Sequence, residues 1–151
     1  MSIDDIINHI RNRAYMSGVD RSKQRTQATQ EVFTTDKILK DLDRIDQTYF
    51  TDSEQTFADP CCGDGALLGE ALIRKVENGI DFETALATIY GVDLMEDNVA
   101  LCRERLLCGR EDLRHIVERN IVCHDALTYD YSFNGTDQTE QELLFNNLFE
   151  E

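Results

Sequence analysis

Proline is almost missing from this chain: Pro60 stands alone among 151 residues, and there is no tryptophan. Any motif built on two prolines is therefore excluded. The five cysteines form no C-x-x-C pair, and their odd number fits neither a disulfide framework nor a zinc site, so reduced thiols in cytosol and no metal are expected. No run approaches the ~20 apolar residues of a membrane-spanning helix. The start, Met1-Ser2-Ile3-Asp4-Asp5, lacks the basic-then-apolar order of a secretory signal. Positive charge is also scarce. Fifteen Lys and Arg against 30 Asp and Glu leave a net charge of −15, which denies the chain as a whole the basic footprint of a free-standing DNA binder.

What is present suffices for one packed domain, since 41% of the residues are apolar. The charge is uneven. Residues 1–58 carry 8 basic and 10 acidic side chains, whereas Asp125 to Glu151 carries 7 acidic and none basic. Arg11, Arg13, Arg21, Lys23 and Arg25 make the one concentrated basic stretch, readable as a solvated helix face or as a phosphate-contacting arm. Ser2 with Asp5 resembles a capping box, and Ile3, Ile6, Ile7 and Ile10 share a face, so a helix is expected over 3–16 with Gly18 closing it. Thr35 is placed to cap a second helix with Ile38, Leu39, Leu42 and Ile45 as its apolar positions.

The centre of the sequence is the stretch from Thr56 to Leu68. A short apolar strand breaks at Pro60, turns through Gly63-Asp64-Gly65, and opens the amphipathic run Ala66 to Ile73. Strand, glycine turn and helix start together let backbone N–H groups approach a ligand. Asn78-Gly79 ends that helix near residue 77, and Asp81 caps a short one with Phe82, Ala85 and Leu86 inward. Ala87 to Asp93 then reads as a second buried strand ending on an acid. Such an acid accepts from ribose hydroxyls in Rossmann-like units; otherwise Asp93 caps the next helix, Glu96 to Cys108. A helical turn over Asp112–Glu118 leads to a third strand near 119–124, followed by His124 and Asp125. His124 has no nucleophile or carboxylate pair arranged around it. Cys61 and Cys62 read as small residues of the turn, although a helix start favours thiolates.

The string D-P-x-x-G-x-G before a helix resembles motif I of the adenine-N6 DNA methyltransferases that use S-adenosylmethionine, the branch that includes type I modification subunits. Short methylase-like phage proteins have the same look. Several positions carry the likeness. Asp59, Cys61, Gly63 and Gly65 match motif I, and Asp93-Leu94 in G-V-D-L matches motif II, the ribose acid. Asp125-Ala126 matches motif III, whose acid accepts from the adenine amino group. Phe33-Thr34-Thr35, ending 24 residues before Asp59, partly matches the F-T-P stretch that covers the methionine end, with threonine in place of proline. The family's catalytic motif, [DNS]-P-P-[YFW], requires two prolines. Asn146 and Phe149 in Asn146-Asn147-Leu148-Phe149, beginning 21 residues after Asp125, match only its ends.

The expected fold is α/β: a truncated Rossmann-like methyltransferase fold, with a mainly parallel sheet in the order 3-2-1 and helices on both faces. Residues 1–30 are expected as a helical arm, 31–127 as the cofactor domain and 128–151 as an acidic tail. The resemblance implies a cytoplasmic protein that binds S-adenosylmethionine, in the host cytosol if phage-encoded. It implies methyl transfer completed by a second copy or a partner protein, with DNA not favoured for the isolated chain and no membrane. The alternatives are a non-catalytic binder of the same cofactor, and an acidic interaction protein that mimics DNA.

Overall fold

The computed structural model describes residues 1–12, 35–131 and 133. Helix α1 (Ile3–Ile10) is followed by α2 (Thr35–Asp43) and the single turn α3 (Thr48–Thr51). Then come β1 (Phe57–Asp59), α4 (Ala66–Glu77), α5 (Phe82–Ala87), β2 (Ile89–Asp93) and α6 (Glu96–Leu107). A 3-10 turn (Glu111–Leu113), α7 (Arg114–Asn120) and β3 (Ile121–Cys123) complete the described elements. The three strands are parallel in the order β1-β2-β3, with Ala58 opposite Tyr90 and Val92 opposite Val122. The strands and their order are those expected from the sequence, and the fold is compatible with a Rossmann-like arrangement.

Local chemistry explains the boundaries. Ser2 and Asp5 do form a reciprocal capping box on α1. Asp81 accepts from the Thr84 N–H at the start of α5. Gly79 and Gly109 take left-handed φ angles of +94° and +74° just beyond α4 and α6. Helix α1 ends at Ile10, short of the expected residue 16, because the chain turns at Arg11 and Asn12. Arg11 pairs within the domain: its Nε and Nη2 donate to both oxygens of buried Glu70 on α4, at 2.9 and 2.6 Å. Ile6 and Ile10 are buried beneath it in the same core as α4. Burial of each is worth about 1.5–3 kcal/mol, so α1 is anchored to the domain. The remaining basic residues of that stretch, Arg13, Arg21, Lys23 and Arg25, lie outside the described residues.

Among the described residues the helices lie on one face of the sheet, where helices on both faces are expected from the sequence. Phe57, Ile89, Gly91 and Ile121 share one side of the sheet, and the helices' buried residues gather with them in one core. A Cβ on Gly91 would lie 2.7 Å from Leu68 of α4, which shows how closely that helix lies on the strands. Successive right-handed crossovers that step the same way across a sheet place their helices on the same side. Among the described residues, the opposite side, with Ala58, Tyr90, Val92 and Val122, is met by aromatic residues after β3. Phe133 lies 4.6 Å from the Tyr90 ring and 5.1 Å from that of Tyr129.

Lys75, on α4, is fully buried and donates to the Gln55 carbonyl at 2.6 Å and to Thr88 Oγ1 at 2.9 Å. It ties the segment before β1 to the turn before β2. Burial pushes its ammonium below the usual lysine range, opposed by Asp52. Below the folded value the group is protonated in both states, so its cost is constant. Between the folded value and the ordinary 10.5, the unfolded chain binds more protons and stability rises with pH. Urea titrations from pH 8 to 10 should therefore show the wild type gaining stability relative to Lys75→Met. A constant difference would mean that the ammonium is solvated.

Candidate functional site

The glycine turn hangs from the end of β2. Cys62 N–H donates to the Val92 carbonyl at 2.9 Å, and Gly63 N–H donates to Asp93 Oδ1 at 3.2 Å. Gly65 N–H closes the turn onto the Cys62 carbonyl at 2.9 Å, and Gly69 N–H takes the Gly65 carbonyl in the first turn of α4. Gly63 and Gly65 have φ angles of +55° and +92°, where a side chain is strained. A Cβ on Gly65 would also lie 2.7 Å from Cys102 Sγ of α6.

Three acids mark the carboxyl ends of the three strands. Asp59 Oδ1 accepts from Cys61 N–H at 3.0 Å; its carboxyl is raised above the usual range by burial, partly offset by that bond, with Asp93 adding repulsion. Asp93 is half-buried. Its Oδ2 accepts from Met95 N–H at 2.9 Å and Asn98 Nδ2 at 3.1 Å just ahead of α6, whose N-cap is Met95, while its other oxygen holds the turn. With three donors on two oxygens, a carboxylate keeps acceptor capacity for further partners. Asp125 is exposed, and its Oδ1 accepts from Leu127 N–H at 2.9 Å.

The structure thus brings Asp59, Cys61, Gly63, Gly65 and Asp93 together, with Leu94, Asp125 and Ala126 at the neighbouring strand ends. Leu94 is 70% exposed, a free apolar surface beside Asp93. Phe33, Thr34, Asn146 and Phe149 lie outside the described residues. His124 is occupied structurally: its backbone N–H donates to the Asp93 carbonyl, and its ring lies 5.2 Å from Tyr129. Neither turn cysteine is an activated nucleophile. The Cys62 thiol is pushed up by its hydrogen bond with Cys102 and then by burial. Burial, followed by Asp59 and Asp93, does the same to Cys61.

Several residues at the site went unread in the sequence. Tyr131 donates to the Ala126 carbonyl at 2.6 Å; its hydroxyl is raised first by burial and then by Cys61 and Asp125. That bond closes the segment that follows β3. Tyr131 also lines a pocket of about 200 Å³ with Thr56, Ala58, Tyr90 and Phe133. The alternation Tyr129, Tyr131, Phe133 was its available signal. Buried Asp64 and Arg105 approach to 3.4 Å beneath the turn. Among the described residues no cluster of His, Cys, Asp or Glu has a metal-holding arrangement, and no helix is long and apolar enough to cross a membrane.

A glycine turn between strand and helix, with acids closing consecutive parallel strands, is the geometry of a Rossmann-like ligand site. Over 97 residues, 63% of its length, the chain is 34% identical to the type II methyltransferase M.VspI of Vibrio sp. (strain 343). This is a methyltransferase-like relationship. The chain spans 19% of that protein's length. No family model and no solved structure matches it.

Proposed function

We propose that the chain binds S-adenosylmethionine in the turn between β1 and α4, as the cofactor half of a DNA adenine-N6 methyltransferase-like protein of the restriction-modification kind. Its main support is the hydrogen bond from Gly63 N–H to Asp93, which unites the glycine turn and the strand-two acid in one site. The relationship to a type II methyltransferase supports the same reading. The groups present fit the cofactor: Asp93 for ribose hydroxyls, Leu94 as an apolar face for adenine, Asp125 for its amino group. Asp59 and Asp93 make the surroundings favourable to a cation, and the bound cofactor supplies an electrophilic methyl group on a sulfonium. Phe33 and Thr34 belong to this reading as cover for the methionine end. Asn146 and Phe149 are the weak candidates for the target base.

Methyl transfer then needs a partner or a second copy. Among the described residues β1 pairs on one side only, and an unpaired parallel strand invites another chain. Sedimentation should show a dimer or a partner complex; a monodisperse monomer would argue against it. The net charge of −15 favours, as a second reading, a binder of the cofactor that never meets DNA by itself. Methyl transfer to DNA with the partner present separates the two.

Calorimetric titration tests the binding itself. One S-adenosylmethionine per chain is expected, with Asp93→Ala weaker by about 1–3 kcal/mol through the lost ribose hydrogen bonds. An unchanged affinity in that variant would remove Asp93 from the site.

A further inference from the structure

Helix α6 meets the glycine turn with three residues spaced i, i+4 and i+7, so they lie along one face of the helix. Asn98 donates from Nδ2 to Asp93 Oδ2 at 3.1 Å. Cys102 lies against Gly65. Arg105 reaches Asp64 at 3.4 Å. All three are at most 3% exposed, although two are polar, and the helix needs neither for its own backbone bonding. Polar side chains buried this deeply hold position, because an amide or guanidinium taken from water costs free energy unless it is well bonded.

We infer that Asn98 is a positioning residue for Asp93, and that this stripe of α6 sets the relation between the strand-two acid and the turn. The inference rests on the cofactor reading above and deepens it. Asp93 has two oxygens with opposed duties. Oδ1 takes Gly63 N–H from the turn, and Oδ2 takes Met95 N–H and Asn98 Nδ2 from the head of α6. Rotation about the carboxylate bond would trade the turn for the helix. The Asn98 amide fixes that rotation from the buried side, so the one acceptor site left, on Oδ1, is held in a single orientation. An acceptor fixed in this way takes one hydroxyl of the ribose diol, the 2′-OH, and therefore discriminates ribose from 2′-deoxyribose. The Asn98 side chain does not touch the ligand itself.

The test compares S-adenosylhomocysteine with its 2′-deoxy analogue, titrated calorimetrically into the full chain. The wild type should prefer the ribose form. Asn98→Leu, which keeps the branched shape and removes the donor, should reduce that preference about tenfold, the worth of one hydrogen bond to a charged group. The 2′-deoxy analogue should bind the variant almost as it binds the wild type. Asn98→Ala should give the same loss of preference, and serves should the leucine variant fail to fold. A role in packing alone would weaken both ligands alike and would favour the leucine variant over the alanine one; that result, or an unchanged preference, overturns the inference while leaving the site intact. A wild type that binds neither ligand overturns the site itself, and the inference with it.

Discussion

Replacing Arg105 with methionine should lower the stability of the domain by about 3–5 kcal/mol, because it leaves the Asp64 carboxylate buried without its cation. The two residues are 1% and 3% exposed, so little solvent screens the loss. Near 150 residues, such a change moves the melting temperature by roughly 10 °C. Removing both charges, as Asp64→Ser with Arg105→Met, should recover most of the loss, since a buried pair is weakly stabilising relative to an apolar replacement. Thermal unfolding of the two variants decides the matter. A single variant melting with the wild type would mean that the pair does not carry the underside of the turn.

The second large effect is expected at Gly65. A Cβ there faces two separate penalties: a φ of +92°, and contacts of 2.7 Å to Cys102 Sγ and 3.3 Å to Cys102 Cα. The backbone term and the overlap together amount to about 2–4 kcal/mol for Gly65→Ala. Because the strained residue joins the turn to α4, cofactor affinity should fall as well. Adding Cys102→Ala removes the sulfur and should return the overlap part only. Full recovery in the double variant would show that the left-handed backbone costs nothing here. No recovery would place the overlap elsewhere. Chemical denaturation of the three proteins measures both parts.

Much of the frame was legible because punctuation and chemistry coincide in it. Gly79, Asp81 and Gly109 bound the helices, and apolar runs end on Asp59, Asp93 and near Asp125, so strand ends and candidate ligands fell together. Asp93 was read with two alternatives, ribose ligand or helix cap. The N-cap of α6 is Met95 instead, and Asp93 accepts from its N–H and from the Asn98 side chain. What escaped the reading were polar side chains turned inward. Asn98, Arg105 and Lys75 occupy helix positions where sequence pattern assigns solvent, and only the fold supplies their partners at Asp93, Asp64 and Gln55. Arg11 belongs with them for a related reason. Its partner Glu70 lies 59 residues away, beyond any local pattern. That the described helices gather on one face of the sheet follows from crossover handedness, which motif matching does not consult.

The central claim is that the turn at Asp59–Gly65 and the acid at Asp93 form one S-adenosylmethionine site. The most direct measurement is a crystal structure of the chain grown with S-adenosylmethionine. The account predicts the ribose 2′-OH within hydrogen-bonding distance of Asp93, adenine against Leu94 near Asp125, and a second chain beside β1. Density for the cofactor elsewhere, or an Asp93 carboxylate still bonded only to Gly63, Met95 and Asn98 at saturating cofactor, would contradict it.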